Sequence, residues 1–171
     1  AGINLTPGFL DNALQVKLNF KGMRTQNNFA DRGAIGSALS FDPTREVRDP
    51  NSPYGGFTTW TNTNGNPELV APTNPVALLE LRDDRSTVSR YIAGGTIDYR
   101  IPFLKDLRAN LNLAYDYSQG NGYVDVPTIA SFAFDAGTGG GIDNEYGQTK
   151  KNSLLEFFMN YKKSFSKHSL D

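Results

Sequence analysis

Neighbouring carboxylates are the first place to look for chemistry in this chain. Asp83-Asp84 with Glu80, and Asp143 with Glu145, place acids close together in sequence. A glycosidase needs such a pair, one as acid and one as base or nucleophile. Arg82 and Arg85 flank the first set, and neighbours in sequence carry little geometric information, so a solvated, charge-balanced loop is the expected role. The run Gly137-Thr138-Gly139-Gly140-Gly141 invites a phosphate-cradling reading, but Gly147-Gln148-Thr149-Lys150 lacks the Gly-Lys-Ser/Thr ending that puts a lysine on the phosphates. Asp143, Asn144 and Glu145 offer hard oxygens for calcium without EF-hand spacing. Both stretches are expected to be flexible surface loop. His168 is the single histidine and sits among serines and a lysine; a catalytic triad also needs an orienting acid and a nucleophile on a rigid scaffold, so a solvated ring is expected. With zero cysteines, thiol chemistry, disulfides and Cys-based zinc sites drop out. The expectation is no catalytic residue, no metal site, no cofactor and no enzyme.

For binding, the best candidates are Tyr54, Phe57 and Trp60, embedded in Gly, Thr and Asn. Sugar rings stack on aromatic faces, and Asn or Thr hydrogen-bond hydroxyls. The plainer alternative is that these rings pack a long loop onto itself or onto a partner.

The elements that must position such a loop are strands. In Thr87–Ser118, Tyr91, Ala93, Gly95, Ile97, Tyr99 and Ile101 alternate with Arg90, Gly94, Thr96, Asp98 and Arg100, Ile92 being the apolar intruder. After the turn Pro102-Phe103-Leu104-Lys105-Asp106, Leu107, Ala109, Leu111, Leu113, Tyr115 and Tyr117 alternate with Arg108, Asn110, Asn112, Asp116 and Ser118. A side-chain period of two puts each set on its own face of a sheet. Each arm exceeds the usual strand of about 5–6 residues, and tyrosines sit towards the ends of the apolar faces. A membrane-spanning strand needs about 9–11 residues, an apolar outward face, a polar lumen face and aromatic girdles.

Two further strands fit the template: 13–24, where Leu14, Val16, Leu18 and Phe20 share a face, and 151–163, where Leu155, Phe157, Met159 and Tyr161 do, with Leu154 and Phe158 on the polar side. Leu5–Asn12 is a turn by composition, and Ser164–Asp171 another. Between the strands, 25–86 and 119–149 lose their alternation and are read as long loops, well above the usual connection of about 4–6 residues. Within the first, Ala34–Leu39 is either strand extension or a short helix. Asn74, Pro75 and the following helix formers give a short helix at 74–82, with Asn74 as cap and Pro75 at the first helical position. The fold class expected is all-β: an antiparallel four-strand segment of a transmembrane β-barrel, one domain over 1–171, with Lys17, Lys21, Arg90, Asp98, Arg100 and Arg108 facing the lumen. Short and long connections alternate, as on the two sides of an outer-membrane barrel, and four strands are too few to close one, since the smallest have about 8.

The totals agree. In 171 residues, 38% are hydrophobic and 20% charged, with 17 Gly and 9 Pro, a polar, turn-rich balance suited to strands with large loops. A net charge of -1 gives no pull towards nucleic acid. There is no apolar run long enough for a transmembrane helix and no signal peptide; Ala1-Gly2-Ile3-Asn4 reads as a cut.

The phrases Gly33–Arg45, Asn74–Glu80, Leu107–Asp116 and Lys150–Tyr161 resemble, in colinear order over nearly the whole chain, the barrel portion of the SusC/RagA-type TonB-dependent transporters of Bacteroidetes. The resemblance implies a plugged barrel of about 22 strands in the bacterial outer membrane. It implies uptake of oligosaccharides or peptides energised through TonB, and a SusD-like surface lipoprotein as partner. Plug, TonB-contacting segment and most strands are absent from this stretch, so its share is wall and extracellular mouth. Two rivals are one protomer of a trimeric outer-membrane barrel, which wants short loops and heptads not found here, and a soluble carbohydrate-binding β-sandwich, in which the tyrosine faces would meet in a closed core.

Overall fold

The computed structural model describes residues 1–165 and 168–170. Its elements in chain order are β1 (Gly2–Leu5), β2 (Gly8–Phe9), β3 (Leu14–Asn28), α1 (Gly33–Ser40), α2 (Pro75–Glu80), β4 (Asp83–Arg100), β5 (Leu107–Val126), a 3₁₀ turn at Ser131–Ala133, β6 (Ile142–Tyr161), β7 (Lys163–Phe165) and β8 (His168–Leu170). One sheet runs in the order β1-β3-β4-β5-β6, with β2 also on β3; β7 and β8 form a separate pair. The chain is thus all-β and predominantly antiparallel. Among the described residues no helix is long and apolar enough to cross a membrane.

Several boundaries differ from those expected. Leu5–Asn12 is not all turn: β1 and β2 pair with β3 from Gly2↔Lys21 to Phe9↔Leu14, adding a fifth partner to the sheet. Pro7 separates them because it has no N–H for the ladder, and the reversal narrows to Leu10, Asp11 and Asn12, all at positive φ. The predicted strands at 87–101 and 107–118 begin earlier or run longer, and Ile142–Lys150, assigned mostly to loop, is strand. These added stretches are polar on both faces, as in Gln119–Gly122 and Asp143–Lys150, so the ladder continues where the alternation that reveals it stops. Ala34–Leu39 is helical. The predicted turn at Ser164–Asp171 lies partly outside the described residues; around it β7 pairs with β8.

Contacts divide the chain into two units. The first comprises Ala1–Thr25, Val88–Gly120 and Gln148–Asp171. Its register is fixed at several points. Leu18 meets Gly95, Asn19 meets Gly94 and Tyr91 meets Gly22. The Ile101 N–H donates to Leu107 O at 3.2 Å and the Lys162 N–H to Asp106 O at 2.8 Å. None of its hydrophobic side chains is buried among the described residues.

The second unit, Gln26–Thr87 and Asn121–Gly147, holds the buried hydrophobic residues: Ala34, Phe41, Phe57, Ala77, Leu78, Val124, Val126 and Ala130. Asn74 lies at its centre, 2% exposed. Its Oδ1 accepts from the Val76 and Ala77 N–H groups, capping α2, while its Nδ2 donates to Val47 O at 2.7 Å and Thr58 O at 3.1 Å. One amide therefore satisfies two of the helix's orphan donors and two loop carbonyls, all of its own capacity. The glycine run is a bonded turn rather than free loop. Asp135 accepts from the Gly137 and Thr138 N–H groups at 2.8 Å, and Gly139, Gly140 and Gly141 all take positive φ, where a side chain is costly.

Asn74→Ala removes four hydrogen bonds at a buried position. We expect a loss of about 2–3 kcal/mol, read as faster exchange of the Val76 and Ala77 amides, the two N–H groups that lose their acceptor; unchanged exchange there would contradict the assigned role. Backbone N–H donation from Thr138 and Gly137 holds the Asp135 carboxyl below its usual range. A depressed folded pKa contributes stability above the unfolded value, about 3.9, and loses it as pH falls through the folded one. The Gly137 and Thr138 amide resonances should therefore hold steady down to about pH 4 and move together below it.

Candidate functional site

In the first unit the chemistry is divided between two faces. One carries Leu18, Phe20, Tyr91, Leu113, Tyr115, Leu155, Phe157 and Met159, all exposed, Leu155 to 72% and Phe157 to 59%. A closed core would bury these groups. The other face is laced by polar pairs across strands. Arg90 grips Asp116 with both arms of its guanidinium, Nε to Oδ1 at 2.9 Å and Nη2 to Oδ2 at 2.6 Å. Asn112 donates to Glu156 at 3.3 Å, and Arg108 lies 3.9 Å from Asp98. The six charged residues expected on this face, Lys17, Lys21, Arg90, Asp98, Arg100 and Arg108, share it by alternation. Besides Ile92, Leu154 and Phe158 are apolar exceptions on it, both exposed.

In the second unit the three aromatic candidates part company. Phe57 is 2% exposed, with the Arg48 guanidinium 5.1 Å above its ring, so it presents no face to a ligand. Tyr54 donates its hydroxyl to Gly65 O at 2.7 Å, tying the loop to itself. Trp60 meets Phe41 edge to face at 5.0 Å and Arg45 at 5.6 Å, and lines a small cleft of about 80 Å³ with Thr59, Glu68 and Thr73. The aromatics share one loop system without forming a common stacking platform.

The carboxylates weighed for glycoside chemistry separate for a simple reason. Asp83 and Asp84 are consecutive in β4 and point to opposite faces. Asp83 receives Arg85 at 2.6 Å and the Tyr123 hydroxyl at 3.1 Å. Asp84 shares Arg82, at 3.3 Å, with Asp31, at 3.4 Å. Asp83 and Asp84 are thus each paired with an arginine and do not face a common substrate atom. Among the described residues no three acidic or histidine side chains gather as a metal site.

Sequence reasoning missed one arrangement here. Tyr146 lies directly over Gly122, its hydroxyl 3.5 Å from Asp84 Oδ1. With Arg85, Tyr123 and Glu145 it lines an open polar groove of about 640 Å³. The signal was present only as a glycine in one strand and an aromatic in another, which need the register to be brought together.

No protein-family profile matches the chain. Over its whole length it is 31% identical, in an alignment 192 positions long, to a stretch of the TonB-dependent receptor SusC of Bacteroides thetaiotaomicron. The chain spans 18% of that protein's length. The similarity runs the whole length of the chain, on a sheet with one apolar and one ion-paired face.

Proposed function

We propose that this chain forms part of the barrel wall and extracellular mouth of an outer-membrane nutrient importer energised through TonB. Its cargo is an oligosaccharide or a peptide, and a SusD-like surface lipoprotein is its partner. Its location is the bacterial outer membrane, and its work is passage of cargo without a chemical step. The likeness of the whole chain to SusC carries this reading. The two-faced sheet supports it. From Leu107 to Tyr117 the strand rises about 33 Å at about 3.3 Å per residue. At a tilt of about 40° that is about 25 Å of height, the height of the lipid-facing band in outer-membrane barrels. Tyr91, Tyr115 and Tyr117 mark one margin of the band, and Tyr99 and Tyr161 the other. The sandwich alternative requires these faces to be buried against each other, whereas they are exposed. Tyr54 and Trp60 remain the aromatic candidates for touching cargo in the loop unit.

The test uses the full-length protein in bilayers. The stretch has no cysteine of its own, so single spin labels at Leu111→Cys and Asn112→Cys report opposite faces. Oxygen should relax the label at 111 preferentially, and a water-soluble nickel chelate the one at 112. A label at 111 shielded from both relaxants would mean a protein core and defeat the proposal. Leu111→Arg should in addition cost about 2–4 kcal/mol of unfolding free energy in bilayers; a change within a few tenths would place that face away from hydrocarbon.

A further inference from the structure

The ion pairing of the polar face fails at one end of the first unit. The Ile101 N–H to Leu107 O bond sets Arg100 directly opposite Arg108, in a position where the two side chains of an antiparallel pair lie closest. Like charges so placed repel each other. Arg108 leans towards Asp98, but only to 3.9 Å, and among the described residues no acid pairs with the Arg100 side chain. The turn that follows adds Lys105 and Asp106, and the Lys162 N–H to Asp106 O bond draws Asn160 and Lys162 alongside. Together these six side chains line an open cleft of about 600 Å³. Four of them are cationic and one is anionic.

Elsewhere on this face the register places acid against base, as in Arg90 with Asp116. Here it places base against base, an arrangement that costs stability unless negative charge arrives from outside. We propose that this cleft is a binding site for an acidic peptide segment, with Arg100 and Arg108 clasping one carboxylate and Lys105 meeting a second. Guanidinium forks match planar carboxylates two bonds at a time. The cations come from separate positions on β4, β5 and the intervening turn, so they form a trough rather than a point. Within the turn the Leu104 and Leu107 N–H groups are spent on Ile101 O and Leu104 O, which takes them from a nest for a single phosphate. An extended chain with spaced carboxylates fits that distribution. The inference stands on the charge layout alone and does not require the membrane reading.

The experiment measures fluorescence anisotropy of labelled hexaglutamate with the detergent-solubilised full-length protein. The double variant Arg100→Gln/Arg108→Gln is compared with Lys17→Gln/Lys21→Gln, which removes equal charge from the same face on β3. Circular dichroism confirms that both variants fold. Saturable binding weakened at least tenfold in the arginine variant and less than twofold in the lysine variant is the expected result. Equal weakening in both, or no saturable binding to the parent protein, overturns the proposal. Displacement by inorganic phosphate at a matched concentration of charge also overturns it, and makes the cleft a phosphate site.

Discussion

Register is the constraint on which the first unit depends. Side chains along a strand alternate between two faces, so a slip of one residue between β4 and β5 would exchange every group on one side for its neighbour. If β5 slipped, Leu111 and Leu113 would turn to the charged side, and Arg108 and Asp116 to the apolar one. The bidentate Arg90–Asp116 pair and the Asn112–Glu156 bond oppose that slip. Individually, exposed pairs contribute little; their value lies in specifying which register is correct. Among the described residues of this unit no side chain of the apolar face is buried, so that face cannot choose its own register. The polar face chooses for both.

The second unit is organised by a different principle. Its connections are irregular, so backbone polar groups must find partners outside any ladder. Asn74 meets that need at the point where α2 begins and two loop strands pass. Arg82 between Asp31 and Asp84 and Arg48 beside Glu80 add further ties between distant parts of the loop. No buried side-chain nitrogen or oxygen is left without a partner among the described residues. A long insertion that satisfies its polar atoms in this way behaves as a small folded body with its own apolar core around Val124, Val126 and Ala130.

What could be read directly from the sequence followed from strong local signals. Alternation gave the faces of β3 to β6 where one face is apolar, and Asn74-Pro75 announced α2 with its cap. Where both faces are polar, as at Asp143–Lys150, periodicity has nothing to contrast and the strands were read as loop. β1 was hidden because four residues before a proline are too few to show a period. The candidate site was less legible still. Asp83 and Asp84 looked like a pair until strand geometry sent them apart, and Phe57 looked like a platform until the loop closed over it. Tyr146 over Gly122 exists only once two distant segments are aligned, and Arg100 facing Arg108, though both flank one turn, depends on the register that the turn sets.

Gly94 and Gly95 are adjacent in β4 and face opposite sides of the sheet. The Asn19 amide occupies the space beside one and the Leu18 side chain the space beside the other. At that point the β4 backbone carries no side-chain bulk on either surface. A sheet forced to curve concentrates its bending where steric resistance is least. These two positions are therefore the natural crease of the unit, and the amide and the leucine that lean into them set how far the crease can fold.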